Sequence, residues 1–91
     1  MEHEEDAAIK AFEMSYRVIW QVEWDKAWRL WLDYPPDQCR RAEDAWQSGT
    51  ERVLVGVTDE FDGWLLDFRR MLQVSESGTI RRLRRVLRSH V

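Results

Sequence analysis

The sequence has few of the residues that cross-link a chain, break helices or span membranes. Its 91 residues include one cysteine, four glycines and two prolines. The single Cys39 excludes an internal disulfide and is more usual in a reducing compartment, and the scarcity of glycine and proline favours long helices over a fold with many turns. No apolar run approaches the roughly 18 residues of a membrane span, and the N-terminus is acidic. We therefore expect a cytoplasmic protein without a membrane span.

Groups of residues that support catalysis or hold a metal are also missing from the sequence. His3 and His90 lie near opposite ends of the chain and lack the spacing of a metal-binding pair. No glycine-rich phosphate loop is present, and the acidic stretch 59–63 lacks the ligand spacing of a calcium loop. We expect no enzyme, no catalytic residue, no bound metal and no cofactor.

The net charge of −3 conceals an uneven distribution along the chain. Residues 69–91 hold seven arginines against one acid, a net +6, whereas residues 1–68 hold seven basic residues against sixteen acids, a net −9. Such asymmetry is typical of an interaction segment. The alternative is that the two parts neutralise each other inside the fold or between subunits.

Four tryptophans form the most prominent pattern. Trp20, Trp24, Trp28 and Trp31 follow each other at steps of four, four and three, which on a helix places the indoles on one side. Because each buried aromatic side chain removes about 150–250 Å² from water, we expect this stripe to form the core. We expect Trp24 in this stripe and Trp64 in a second apolar stripe to be the most deeply buried. Any uncovered part of it would suit a protein contact or an aromatic ligand site.

This periodicity predicts an all-α fold, an elongated bundle of two long and two short helices in a single domain, 1–91. Pro35 and Pro36 are expected to end the first long helix, because proline and the residue before it disfavour helical continuation. The predicted helices span about 4–33, 36–47, 50–74 and 79–89.

The third predicted helix has an alternative. Apolar residues from Leu54 to Met71 follow a heptad-like spacing, which favours a helix. Val-Leu-Val-Gly-Val is instead typical of a strand, and Asp62-Gly63 of a turn. Residues 52–63 are therefore either helical or part of a β-hairpin.

The function expected from these patterns is that of a small non-enzymatic protein–protein interaction module, an adaptor, inhibitor or assembly factor. Two amphipathic stripes leave apolar area that a second copy could cover, which predicts a homodimer. The alternative is a nucleic-acid-binding protein that uses the arginines of the last helix, and an enzyme or small-ligand binder ranks third. The predicted partner-binding residues are Arg81, Arg82, Arg84, Arg85, Arg88, Trp28, Trp31 and Trp46.

Overall fold

The computed structural model describes residues 2–14 and 16–89, which form an antiparallel sheet and two helices. The predicted all-α bundle is therefore wrong. The helices are α1 (Glu2–Met14) and α2 (Pro36–Gln47), and the strands are β1 (Tyr16–Asp25), β2 (Leu30–Asp33), β3 (Arg52–Val55), β4 (Trp64–Asp67), β5 (Leu72–Val74) and β6 (Ile80–Ser89).

The first predicted helix, 4–33, is helical only at its beginning and continues as β1 and β2. The prediction failed because side chains of a strand alternate with a period of two residues, so a step of four also keeps residues on one side of a strand. Trp20 and Trp24 therefore lie on one side of a strand as readily as on one side of a helix. The β-branched residues Val18, Ile19 and Val22 between the aromatic residues favour the strand.

The third and fourth predicted helices are also wrong. Residues 50–74 contain β3, β4 and β5, so the alternative of a hairpin near residues 52–63 is the better interpretation. Gly63 closes this hairpin with φ of +87°, and a Cβ there would lie 2.6 Å from the carbonyl oxygen of Val55. The arginine-rich segment predicted as helix 79–89 is the strand β6, and its side chains alternate between two faces.

The short helix predicted at 36–47 is present as α2. Pro36 occupies its first turn, where the missing N–H costs nothing. Ser48 ends it by donating its N–H to the carbonyl of Asp44, and Gly49 follows with φ of +77°. These local signals are sufficient to define the helix from sequence.

The sheet has the strand order β2-β1-β6-β5-β4-β3, with every neighbouring pair antiparallel. The long strands β1 and β6 pair from Tyr16 opposite Ser89 to Val22 opposite Leu83. Helix α2 packs against one side of the sheet, which we call the inner face, and the opposite side is the outer face. No helix among the described residues is long and apolar enough to cross a membrane.

The core lies between α2 and the inner face. Trp20 is fully buried, with its ring centroid 6.0 Å from that of Trp46 and 5.1 Å from that of Phe68. The expectation that Trp24 is deeply buried is wrong, because 44% of it is exposed, and Trp64 is only half-buried. The aromatic stripe is therefore divided between the core and the surface.

Candidate functional site

Helix α2 covers only one end of the inner face. At the other end lies an open cleft of about 300 Å³, to which α2 contributes no residue. We call it the open cleft. Its lining residues are Trp24, Phe61, Trp64, Ser75, Glu76, Ser77, Thr79 and Arg81.

Aromatic rings form the walls of the open cleft. The rings of Phe61 and Trp64 meet edge to face, with centroids 4.9 Å apart. The Cζ atom of Arg81 lies 4.2 Å from the centre of the Trp24 ring, and its Nη1 donates to the main-chain oxygen of Trp24. Trp24 reaches this position at an irregularity in the pairing of β1 with β2, a common way for a sheet edge to redirect a side chain.

Arg81 brings a positive charge to the open cleft. None of the ion pairs among the described residues includes Arg81. Its guanidinium is held instead by a ring face and by main-chain oxygens. Such a cation attracts an anionic ligand more strongly than one already paired with an acid.

Gln73 adds a buried polar group next to Arg81. It lies opposite Arg81 on β6 and opposite Leu66 on β4, and it is 1% exposed. Its Oε1 accepts a hydrogen bond from the Tyr34 hydroxyl, whereas its Nε2 has no partner within the described chain. A buried donor without a partner costs about 1–3 kcal/mol, so this amide is a strong candidate for a ligand contact.

The Tyr34 hydroxyl fixes how the Gln73 amide is oriented. The hydroxyl donates to Gln73 Oε1, and burial raises the pKa of Tyr34 above its ordinary value. The amide oxygen therefore faces Tyr34, and the amide nitrogen is the group left to donate to a ligand.

Two negative groups lie near the mouth of the open cleft. A hydrogen bond between Asp62 and Glu76, followed by their mutual repulsion, raises the pKa of Glu76 above its ordinary value. Negative charge on these carboxylates opposes the positive potential from Arg81.

The covered end of the inner face is organised around Glu43 of α2. Its carboxylate accepts from Trp20 Nε1 at 3.0 Å, from Gln47 Nε2 at 2.8 Å, and from Arg85 Nε and Nη2 at 2.9 and 2.8 Å. Burial alone would raise the pKa of Glu43, but these hydrogen bonds outweigh it and hold the pKa below its ordinary value. The Arg85 guanidinium also lies 4.4 Å from the Trp46 ring centre, so this group fastens α2 to the sheet.

The structure separates the eight residues predicted to bind a partner. Arg81 lies in the open cleft, and Arg85 and Trp46 belong to the packing of α2. The turn residue Trp28 is 84% exposed. The other members lie together on the outer face: Trp31, Arg82, Arg84 and Arg88.

Sequence reasoning missed most of the open cleft. Gln73 carried a usable signal, since it is a lone polar residue between Leu72 and Val74. Phe61 lies in the connection before β4, three residues from Trp64, and nothing in the sequence indicates that their rings meet. Among the residues that the structure describes, no three His, Cys, Asp or Glu side chains converge as a metal site.

Four larger depressions lie elsewhere on the described part of the chain. One of about 500 Å³ lies between α1 and β6, and another of about 590 Å³ flanks the start of α2. We favour the smaller open cleft because, among the described residues, it combines aromatic walls, an arginine without an acidic partner, and a neighbouring buried amide donor without a partner.

Comparison with known proteins assigns the family. No curated protein sequence matches the chain. The sequence model of the WWE domain matches residues 18–85, a span that includes α2, the open cleft and most of β1 and β6. WWE domains are protein–protein interaction modules, which agrees with the interaction module expected from the sequence. This match covers well over half of the chain, and the chain therefore belongs to the WWE domain family.

Proposed function

We propose that this WWE domain is a non-enzymatic module that recognises partner proteins modified with poly-ADP-ribose, and that one repeating unit of the polymer occupies the open cleft. Poly-ADP-ribose is a ligand of WWE domains. The observation that carries the proposal is the buried Gln73 amide without a partner for its nitrogen, next to Arg81, which forms no ion pair among the described residues.

The chemistry of the polymer matches the groups in the open cleft. Each repeating unit contains a flat adenine, two riboses and two phosphates. The indoles of Trp24 and Trp64 offer apolar faces to the adenine, since stacking of a base on an aromatic side chain is worth about 1–3 kcal/mol. Arg81 can bind a phosphate. The Gln73 amide is buried next to Arg81 and is not itself a lining residue, but its Nε2 is free to donate to an acceptor nitrogen of a base that reaches it. The hydroxyls of Ser75, Ser77 and Thr79 at the rim suit ribose.

Nucleic acid is a weaker candidate for this site. That alternative required the arginines of residues 81–88 to form one basic surface. In β6 they alternate between the two faces of the sheet, and Arg85, Arg82 and Arg88 are each paired with an acid. Homodimer formation and a cytoplasmic location stay predictions from the sequence.

The proposal is tested by measuring the affinity for phosphoribosyl-AMP, the single repeating unit that pyrophosphate cleavage releases from the polymer. Arg81→Gln should weaken binding about tenfold, because a charge-assisted hydrogen bond to phosphate is lost. Gln73→Leu should weaken it about fivefold or more through loss of the amide donor. Calorimetry gives the affinity, and circular dichroism confirms that each variant is folded.

Arg69→Gln is the matched control for Arg81→Gln. It removes the same charge from an exposed residue of the β4–β5 connection, outside the open cleft. Its affinity should stay within about twofold of wild type, since a distant surface charge is largely screened. Absence of binding by the folded wild-type domain, or an equal loss in Arg69→Gln and Arg81→Gln, would contradict the proposal.

A further inference from the structure

A second group of cationic and aromatic side chains extends along the outer face, from the part behind the open cleft toward the opposite end of β1 and β6. It consists of Trp31 with Arg17, Arg82, Arg84 and Arg88, and we call it the Trp31 surface. The Cζ atom of Arg84 lies 4.0 Å from the Trp31 ring centre and that of Arg82 lies 5.6 Å from it. Arg17 pairs with Arg88 in the register of β1 and β6.

Acidic side chains neutralise only part of this surface. Arg82 pairs with Glu23 at 3.2 Å, and Arg88 pairs with Asp33 at 2.8 Å. In the part of the chain that the structure describes, neither Arg17 nor Arg84 forms an ion pair. Two positive charges are therefore left over.

Arg84 is held in place by uncharged groups. Its Nε donates to Gln21 Oε1 at 2.7 Å, and Gln21 Nε2 in turn donates to Asp33 at 2.6 Å. The guanidinium lies over the Trp31 ring while the residue as a whole stays exposed. A fixed, exposed cation on an aromatic face is well suited to contact a phosphate at low conformational cost.

Part of the Trp31 surface lies back to back with the open cleft. Arg81 and Arg82 are consecutive in β6, so their side chains leave opposite faces of the sheet at one position. On β1, Glu23 pairs with Trp31, and the next residue, Trp24, lines the open cleft.

The turn between β1 and β2 lies at this same end of the sheet. It carries the exposed cations Lys26 and Arg29. A chain that leaves the open cleft over this end of the sheet passes Lys26 and Arg29 on its way to the outer face, and Asp25 lies next to them.

We propose that a single poly-ADP-ribose chain contacts both sites. One of its units occupies the open cleft, and the Trp31 surface binds the phosphates of the neighbouring units. This inference rests on the function proposed above. Two surplus charges are few for capture of a free polyanion, because nucleic-acid-binding proteins commonly neutralise about six to ten phosphates. They suffice for a segment already tethered in the cleft, since tethering raises its effective concentration. The domain then prefers long polymer over a single unit.

The test compares two probes on the double variant Arg17→Gln with Arg84→Gln. Affinity for phosphoribosyl-AMP should stay within about twofold of wild type, because these residues lie outside the open cleft. Affinity for a polymer of about ten units should fall fivefold or more, with a shallower dependence on salt because fewer counterions are released. Arg17→Gln alone disturbs no side-chain hydrogen bond that holds Trp31, and it should show part of the same selective loss.

The matched control is Arg69→Gln with Arg70→Gln, which removes two exposed charges from the connection between β4 and β5. It should leave the preference for polymer intact. The inference is overturned if Arg17→Gln with Arg84→Gln loses affinity equally for both probes, or loses none for the polymer. Binding of phosphoribosyl-AMP by wild type would still support the open cleft in either case. The inference is also overturned if wild type binds single-stranded DNA more tightly than poly-ADP-ribose of equal charge. That result would assign the Trp31 surface to nucleic acid.

Discussion

Arg81 and Arg85 lie four residues apart on the inner face of β6, and each guanidinium stacks on an indole. The separations are nearly the same, 4.2 Å from the Trp24 ring centre and 4.4 Å from that of Trp46. Their electrostatic surroundings differ. Arg85 forms two hydrogen bonds with the Glu43 carboxylate, whereas the hydrogen bonds of the Arg81 guanidinium go to the main-chain oxygens of Glu23 and Trp24. The same local stack therefore serves the fold at one end of the sheet and remains available to a ligand at the other.

The buried polar groups follow the same division. At the covered end, the indole N–H of Trp20 donates to Glu43, and the Cys39 thiol contacts main-chain groups of Trp20 and Tyr34. Beside the open cleft, the Gln73 amide nitrogen lacks a partner within the described residues. At the covered end, the buried polar groups find their hydrogen-bond partners within the domain. An unpaired donor beside a cleft instead indicates a place for a second molecule.

The largest expected effect concerns the indoles themselves. Trp20→Ala should lower the free energy of unfolding by about 3–5 kcal/mol, because it removes a fully buried side chain under α2. Trp24→Ala should lower it by less than about 1.5 kcal/mol, since Trp24 lies at the open end and is 44% exposed. Urea denaturation measures both. Similar losses in the two variants would mean that the two ends of the sheet do not differ in packing.

Acid should destabilise the fold through Glu43 at the covered end of the inner face. The folded domain holds the pKa of Glu43 below its ordinary value of 4.5. The unfolded chain therefore binds this proton first as the pH falls, and the stabilisation is present above pH 4.5 and is lost as the pH drops further. Melting temperatures measured from pH 7 to pH 3 should fall more steeply for wild type than for Glu43→Gln. Parallel curves would show that Glu43 does not couple protonation to folding.

The smallest expected effect tests the charge balance at the mouth of the open cleft. Glu76→Gln removes one member of the carboxylate pair with Asp62 and should strengthen binding of phosphoribosyl-AMP about twofold, because one exposed charge contributes little at physiological salt. Unfolding should be unaffected. Weaker binding in this variant would indicate that Glu76 contacts the ligand directly, for instance by accepting from a ribose hydroxyl.

Local signals explain which parts of the fold were predictable. Helix α2 follows directly from Pro36 at its start and from Ser48-Gly49 at its end. The strands were mistaken for helices because Trp20 and Trp24, like Arg81 and Arg85, are spaced by four, a step that keeps residues on one side of either element. The deciding information, that β1 pairs with β6 across more than sixty residues, is not local.

The open cleft was hidden for the same reason. Trp24, Trp64 and Arg81 come from three strands that meet only in the folded sheet. The prediction of an interaction module agrees with membership of the WWE family, and the part that the arginines and tryptophans play in binding stays a prediction. Composition could not separate Arg85, which is committed to Glu43, from Arg81, which has no carboxylate partner among the described residues.

The most direct test compares Arg81→Gln with Arg85→Gln in two measurements, the free energy of unfolding and the affinity for phosphoribosyl-AMP. Loss of the partly exposed Arg85–Glu43 pair should lower the free energy of unfolding by about 1–2 kcal/mol, with affinity within about threefold of wild type. Arg81→Gln should leave unfolding within about 0.5 kcal/mol and weaken binding about tenfold. The account is contradicted if the two variants lose stability and affinity in equal measure, or if Arg85→Gln is the one that loses binding.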